Sequence, residues 1–504
     1  MASPFVERLS ALTTSSRVAL EDDAVQRSFS DLLERALRIR GALCDGAPSL
    51  AGERIALLAS PGAAWVEAFL GVVLAGGIVL SLSPVYPAAE LAWFVEDAGV
   101  RRIIASDDLL GVAAPLAAGG IALRAGDLAG GSRRGGSAAA DLEPDAAALL
   151  LYTSGTTGRP KGALLTHRNL ATQAALLREA WRISEDDTLL HALPLHHLHG
   201  LGISLLTALL AGSRVRMLPR FDAARVASEI AGRTATTFMG VPTMYQRLFE
   251  HVDRVGDRAA FEAGARALRL ATSGSAALPV TLAGRWRDLT GAIPLERFGM
   301  TEIGVGMSNP LDPGARRAGW VGPPLPTVEA RIVDDAGVES AAGPGELWIR
   351  GPSVFKGYLG REEATATAFQ GGWFRTGDVA ERAEDGFVRL LGRTSVDILK
   401  SGGYKLSALE IEEVLREHGA IAEVAVVGVP DEAWGDRVVA VVVPAPGRDA
   451  ECATEPVRAW AKERLAPYKA PREVIAVSSL PRNAVGKVVK PDLIQAIVRG
   501  TLGN

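Results

Sequence analysis

Cysteine is almost absent: the 504 residues contain two, Cys44 and Cys452. They stand far apart and without metal-type spacing, which excludes a disulfide framework and a zinc site and makes a reducing compartment, the cytoplasm, the expectation. An excess of positive charge is missing too. Lys and Arg number 54 against 58 Asp and Glu, a formal net charge of -4, so there is no basic footprint for nucleic acid. Long uninterrupted apolar runs are lacking. Val66 to Leu82 comes nearest, but it contains Glu67 and the Gly76-Gly77 break and falls short of the roughly 18 to 20 apolar residues of a membrane span. A buried helix followed by a strand is expected there, with no membrane partner. The opening MASPFVERLS has no basic segment followed by a long apolar stretch, so no signal peptide is expected.

What is present is one dense run of small and hydroxylated residues. Tyr152 to Gly162, YTSGTTGRPKG, follows the apolar run Ala146 to Leu151, a buried strand delivering a flexible loop. Gly155, Gly158 and Gly162 allow tight turns and bring N–H groups to an anion, Thr153, Ser154, Thr156 and Thr157 add hydroxyl donors, and Lys161 adds charge. A nucleotide triphosphate grip is the expectation; a plain Gly/Ser/Thr surface loop is the alternative. A Walker loop is excluded, because Pro160 stands where its second glycine belongs and Lys161 precedes Gly162 rather than Ser or Thr.

The chain length implies two or more domains, and the pattern implies α/β structure. Arg54 to Ala59 and Arg102 to Ala105 look like buried strands reached after helical stretches, as in doubly wound sheets. Ala125 to Ala140, rich in Gly, Ser, Ala and Arg, has the composition of a mobile surface connection. Val328 to Arg350 and Trp373 to Gly392 alternate as antiparallel strands do, with Asp385-Gly386 as a hairpin turn. The character changes after Gly392, which sets an expected boundary near Arg393 to Val396: an N-terminal domain 1–393 and a C-terminal domain 394–504.

Five motifs in order, YTSGTTGRPKG, RFGMTE (Arg297 to Glu302), RTGD (Arg375 to Asp378), GRTSVDILKSGGYKLSALEIE (Gly392 to Glu412) and PRNAVGK (Pro481 to Lys487), resemble those of the adenylate-forming enzymes: acyl-CoA synthetases, adenylation domains and luciferases. The resemblance implies a large N-terminal domain of doubly wound sheets plus a small β-barrel-like region, and a small mobile α+β lid. It also implies ATP, Mg2+ and coenzyme A as partners of an acid-thiol ligase. Negative charge must approach negative charge in that chemistry, so cations and positioning carry it. By the resemblance, Glu302 and Thr157 hold the metal, Thr301 orients a phosphate oxygen, and Arg297, Phe298, Gly299 and Met300 line the nucleotide with Ser275, Ala276 and Ala277. Phe298 stacks on adenine, Asp378 and Arg393 take the ribose, Lys487 reaches the α-phosphate, and Gly402-Gly403 line the thiol tunnel. Alone, Phe298 is core and Lys487 a solvated surface lysine; their motifs change that. Ser395 stands at the hinge where many relatives carry Asp or Lys.

LPLHHLHG, GVPTMYQR, SGSAALP, LERFGMTEIG and GPSVFKGY are similar to the malonyl-CoA synthetase branch. His197 resembles the pocket histidine found before the acyl site in many relatives, whereas His196 stands where an aromatic residue is common. A second carboxylate left ionised in the acyl pocket needs a cation or several donors. Arg247 is the expected cation, on a helix opened by Pro242 with Met244, Leu248 and Val252 as its apolar stripe, and His199 and Ser275 are the added donors. Taken alone, Arg247 is a solvated helix arginine. The activity implied is malonate, ATP and CoA to malonyl-CoA, AMP and pyrophosphate, with methylmalonate also accepted; the product could feed fatty acid and lipid metabolism, polyketide assembly or malonate detoxification. Other short-chain acyl-CoA synthetases, carrier-protein loading and a silent sensor are the alternatives. Monomer and homodimer are both compatible with the composition.

Overall fold

The computed structural model describes residues 3–117, 120–130, 141–153, 160–255, 258–340, 343–482 and 487–502. Among them, four sheets organise the chain. A seven-stranded sheet runs in the order Gly357–Tyr358, Lys161–Thr166, Ala147–Thr153, Ile78–Ser81, Arg54–Leu58, Arg102–Ala105, Ile121–Arg124. Its inner strands Ala147–Thr153, Ile78–Ser81, Arg54–Leu58 and Arg102–Ala105 pair in parallel through crossovers, the doubly wound pattern, while Gly357–Tyr358 and Lys161–Thr166 join antiparallel at one edge. An eight-stranded sheet is wound the same way through Thr188–His191, Thr237–Gly240, Leu270–Ser273 and Leu295–Met300, with Gly304–Ser308 folded back antiparallel at one edge.

The ambiguous apolar run resolves as expected: helix Ala63–Leu74, a turn with Gly76 at φ +75°, then strand Ile78–Ser81. Glu67 is buried inside it and held by Arg27 at 3.0 Å and Arg35 at 2.8 Å, which makes a charge tolerable in that helix. One expectation is corrected. Ala125–Gly130 is a helix, not part of a loose connection. Ala125 and Ala129, four residues apart, are buried in the main core, and small side chains on one helix face permit that close packing. The remainder of that stretch, 131–140, lies outside the described residues.

The alternating segments form a five-stranded antiparallel sheet of Glu329–Val333, Gly345–Arg350, Trp373–Arg382, Phe369–Gln370 and Val388–Arg393. Asp385-Gly386 makes its hairpin turn, with Gly386 at φ +87°. After Gly392 comes a fourth sheet of Tyr404–Ser407, Ile398–Ser401, Gly435–Pro444, Ile421–Asp431 and Glu473–Ala476, packed with helices Ala408–Leu415, Thr454–Lys462 and Lys490–Val498. It has apolar cores of its own, centred on Leu399, Ile411, Val426 and Val438 on one face and Val427, Val439 and Leu493 on the other. This is a large N-terminal and a small C-terminal α/β unit.

Candidate active site

The site forms where parallel strands end, the usual ligand edge of a wound sheet. The register Ser273↔Glu296 puts Gly274 beside Arg297 on the next strand. A Cβ on residue 274 would sit 2.5 Å from the Arg297 guanidinium carbon, so the glycine makes room for the arginine. Ser275, just beyond, is held at φ +70°, a rare conformation for a residue with a side chain. Its Oγ is hydrogen-bonded to His199 Nδ1 at 3.0 Å.

His199 begins a π-helix, His199–Leu206, a form that concentrates at functional sites. A Cβ on Gly200 would run into the Pro194 carbonyl, so glycine is required at the start of this turn. His191 Nε2 donates to the Gly200 carbonyl at 2.9 Å. The rings of His196 and His197 lie 4.2 Å apart, and Nε2 of His196, His197 and His199 finds no partner among the described residues. Burial holds all of these rings neutral. His197 and His191 are pushed down to about 4, His196 to about 3, and His199 well below the usual histidine value. The histidines therefore bring hydrogen-bonding capacity and no positive charge at neutral pH.

The charge comes from Arg297. It is 3% exposed, and its Nε and Nη2 have no partner among the described residues. Burial pushes its pKa down to about 9, which leaves it cationic at neutral pH. Its strand neighbour Glu296 lies on the opposite face of the strand and accepts instead from the backbone N–H groups of Leu278 and Gly319, both at 3.2 Å. Burial raises that carboxyl to about 8. A buried guanidinium with idle N–H groups is costly in a resting protein and cheap only when an anion arrives.

Arg247 is placed differently from the sequence expectation. Helix Pro242–Val255 does bury Met244, Leu248 and Val252, and Tyr245 Oη donates to the Thr272 carbonyl at 2.8 Å. Two residues further round, Arg247 looks outward and is exposed. It lines an open surface cavity of about 330 Å³ with Phe221, Asp222 and Arg254, and no contact brings it to His199 or Ser275.

On the nucleotide side, Phe298 is buried and paired with Met307 in the edge hairpin, while Ser275, Ala276 and Ala277 form an exposed loop beside it. Gly299 has no space for a side chain, since a Cβ would run into the Gly304 carbonyl; Met300 and Thr301 are half-buried. Glu302 is buried, and Tyr358 Oη donates to its Oε1 at 2.9 Å. Burial raises the Glu302 carboxyl, with Tyr358 opposing that rise. Lys161 Nζ lies 5.3 Å from the centre of the Tyr358 ring, and Thr153 Oγ1 donates to the Lys161 carbonyl at 3.4 Å. Tyr358 thus joins the end of the glycine-rich segment to Glu302. Sequence reasoning missed it, although GPSVFKGY contains it. Ser154, Gly155, Thr156, Thr157 and Gly158, and Asn483 and Gly486 of the last motif, lie outside the described residues.

Asp378 is buried and salt-bridged through Oδ1 to Arg393 Nε at 2.9 Å, while its Oδ2 has no partner among the described residues. Burial raises it to about 6, opposed by Arg393 and Lys487. Lys487 has surface in contact with solvent, yet its amine feels the charges of Arg393, Asp378, Asp397 and Lys490, and burial followed by Arg393 lowers its pKa. Gly402 and Gly403, at φ +58° and +83°, turn the hairpin from Ile398–Ser401 to Tyr404–Ser407 on the small unit. The tyrosine after them stacks on Tyr468 at 4.3 Å.

The buried Glu302 with Tyr358, the buried Asp378 paired with Arg393, and Lys487 close to it belong to a chain of one large and one small unit. Residues 8–359 match the AMP-binding enzyme family and residues 410–487 its C-terminal domain. The chain belongs to the AMP-binding enzyme family. It is 39% identical over 528 residues to malonate–CoA ligase ACSF3, mitochondrial, of Mus musculus, covering 97% of this chain and 90% of that protein. It is also 39% identical over 535 residues to malonate–CoA ligase of Arabidopsis thaliana, covering 97% and 87%. Among solved structures, ATP-bound MatB from Rhodopseudomonas palustris superposes with a TM-score of 0.91 at 35% identity, covering 99% of this chain and 100% of that one. A malonyl-CoA ligase ternary product complex with methylmalonyl-CoA and AMP gives 0.68 at 37% identity, covering 95% and 100%. Identity is nearly equal in the two, while the TM-scores differ.

Proposed function

We propose that this protein is an ATP-dependent malonyl-CoA synthetase. One carboxylate of malonate attacks the α-phosphorus of ATP, pyrophosphate leaves, and the CoA thiol then attacks the malonyl-adenylate carbonyl and expels AMP. The observation that carries the reading is the buried, charged Arg297, with idle N–H groups beside Ser275 and the neutral His199. A monocarboxylate would leave that guanidinium uncompensated in the acyl pocket, whereas the second carboxylate of malonate meets it with charge-assisted hydrogen bonds. The substrate role we expected of Arg247 thus falls first to Arg297, with Arg247 as an outer cation at the exposed cavity. The naming of the relatives as malonate–CoA ligases supports the same substrate. Methylmalonate is proposed as a second substrate, since one methyl shifts binding by only about 1 to 3 kcal/mol where space allows.

In this reading Asp378 Oδ2, without a partner among the described residues, accepts from a ribose hydroxyl, Phe298 faces adenine, and His197 lines the acyl pocket. Lys487 meets the charge that develops between carboxylate and α-phosphate. Glu302 suits Mg2+. Among the described residues no group of three or more His, Cys, Asp or Glu is gathered to hold a metal, and one buried carboxylate is what a cation carrying its own phosphate and water oxygens requires. Such a cation would neutralise phosphate charge. We place the division at 393/394, with residues 394–504 as a lid that rotates between the two half-reactions. The two TM-scores support that motion. The cytoplasm is the proposed location; no described helix is long and apolar enough to cross a membrane, and the mouse relative is named mitochondrial. AMP release with CoA and Mg·ATP, compared across malonate, methylmalonate, succinate, acetate and butyrate, tests the substrate. Malonate leading by more than tenfold sustains the assignment, and a leading monocarboxylate ends it.

A further inference from the structure

Lys490 is a buried lysine with no place in the chemistry above. It opens helix Lys490–Val498 and is 8% exposed. Its ammonium is shared by two carboxylates, Asp397 Oδ1 and Glu412 Oε1, the latter at 2.7 Å. Burial alone lowers its pKa, but Glu412 and Asp397 outweigh burial and raise it. Glu412, on helix Ala408–Leu415, also accepts from Arg416 at 3.1 Å and from the Val426 backbone at 2.9 Å. That end of the cluster is fixed to the body of the small unit.

The other end reaches the connection between the two units. Asp397 Oδ2 accepts from the Arg393 backbone N–H at 3.0 Å, and the Asp397 N–H donates to the Arg393 carbonyl at 2.8 Å. The two bonds close the loop 393–397 on itself. Gly392, at φ +124°, is needed there, because a Cβ would run into the Asp397 side chain. The Arg393 side chain in turn holds Asp378 at 2.9 Å. Lys487 is three residues before Lys490, a reach of at most about 10 Å. The segment that carries it is closed by a bridge from Arg482 to Val488 and by the Val489 N–H on the Pro481 carbonyl at 2.9 Å. Lys487 itself feels both Asp397 and Lys490. A continuous set of charged and backbone contacts therefore joins Asp378, Arg393, Asp397 and Lys490.

We propose that Lys490 is a positioning residue for Lys487: gripping Asp397 and Glu412, it fixes the Lys487 segment to the 393–397 connection, so that rotation there carries Lys487 in and out. This rests on the assignment of Lys487 to the adenylation half-reaction. Without Lys490, two buried carboxylates face each other and the connection loses its tie to the lysine-bearing segment.

The test separates the half-reactions. Malonate-dependent exchange of labelled pyrophosphate into ATP reads adenylation, and malonyl-adenylate supplied with CoA reads thioester formation. Lys490→Met is expected to lower exchange at least 30-fold and thioester formation less than threefold, with Lys490→Arg restoring most of the exchange. Equal loss in both halves, or unchanged exchange, overturns the proposal. If Lys490→Met does not fold, Asp397→Asn, close in shape, is held to the same split. Lys487→Ala is the control. If it leaves exchange intact, the reading of Lys487 fails; if it abolishes exchange while Lys490→Met does not, only the positioning role fails.

Discussion

Replacing Arg297 by methionine removes the guanidinium and keeps most of the stem volume. In the resting protein this takes away a buried charge whose Nε and Nη2 have no partner among the described residues. Exchanging buried ionic groups for apolar ones of similar volume is often neutral or stabilising by about 1 to 4 kcal/mol. The thermal midpoint of Arg297→Met is therefore expected to equal or exceed that of the native chain. In the malonate complex the balance reverses, because the second carboxylate would be buried without its cation. Truncating one member of a buried, hydrogen-bonded charge pair costs about 2 to 5 kcal/mol. At about 1.4 kcal/mol per factor of ten, that is a loss of roughly 30-fold to several thousand-fold in kcat/KM for malonate.

Three measurements check the reasoning. Pyrophosphate exchange with malonate should show that loss, exchange with butyrate should hold or rise, and AMP affinity by calorimetry should stay within threefold. The last distinguishes an acyl-pocket arginine from the nucleotide-lining one that its place in RFGMTE first suggests. Malonate activity within threefold of native, or malonate and butyrate falling together with AMP affinity, would refute the assignment.

Other outcomes follow from the same geometry. Gly274→Ala puts a Cβ 2.5 Å from the Arg297 guanidinium carbon and should raise KM for malonate more than KM for ATP in steady-state assays. Arg247→Ala, on the exposed cavity, should lose less malonate activity than Arg297→Met; the reverse order would return the carboxylate to Arg247. Asp378→Asn should weaken AMP binding by about 10- to 100-fold, the value of a hydrogen bond to a charged group, with the midpoint of unfolding little changed. His167 is fully buried with neither ring nitrogen partnered among the described residues, and burial lowers it to about 4. A depressed folded-state pKa stabilises above the unfolded value of about 6.5, and that stability is lost as pH falls from there toward the folded value. His167→Leu should flatten the decline in thermal midpoint between pH 6.5 and 4, and an unchanged slope would remove His167 as its cause.

Much of the architecture was legible because period and punctuation agree locally. The run from Val66 divided into helix and strand at Gly76-Gly77, and Asp385-Gly386 marked its hairpin. Ala125–Gly130 was not legible. Its composition is that of a linker, and only tertiary packing of Ala125 and Ala129 makes it a helix. In the site, motif order indicated Glu302, Asp378 and Lys487, since each sits in a short run whose spacing carries it. Arg247 and Arg297 could not be told apart that way. Burial depends on which helix face meets the sheet, and Tyr245 anchors on Thr272 so that Arg247 points outward. Arg297 gains its pocket from the register Ser273↔Glu296, which brings Gly274 beside it. Such a pairing joins strands distant in sequence. The Lys490 cluster was hidden for the same reason, its carboxylates lying 93 residues away at Asp397 and in another helix at Glu412.

The charges around Lys487 also give its movement a direction. Asp378 is offset by two cations, Arg393 and Lys487. Arg393 stays with Asp378 through a 2.9 Å salt bridge, so Lys487 is the cation that can leave without abandoning a buried carboxylate. On the proposed reading, bound nucleotide adds to the tie that Lys490 provides. Mg·ATP and malonate together bring about four negative charges and malonyl-adenylate about two, and the pull on a nearby ammonium falls with that charge. If Lys487 serves adenylation as proposed, loss of pyrophosphate would loosen it after that step and free the lid for the thiol. Distance between labels on the two units should consequently be longer with a non-reactive malonyl-adenylate analogue than with ATP. Equal distances in the two complexes would mean that contacts within the 393–397 connection, rather than nucleotide charge, set the position of the lid.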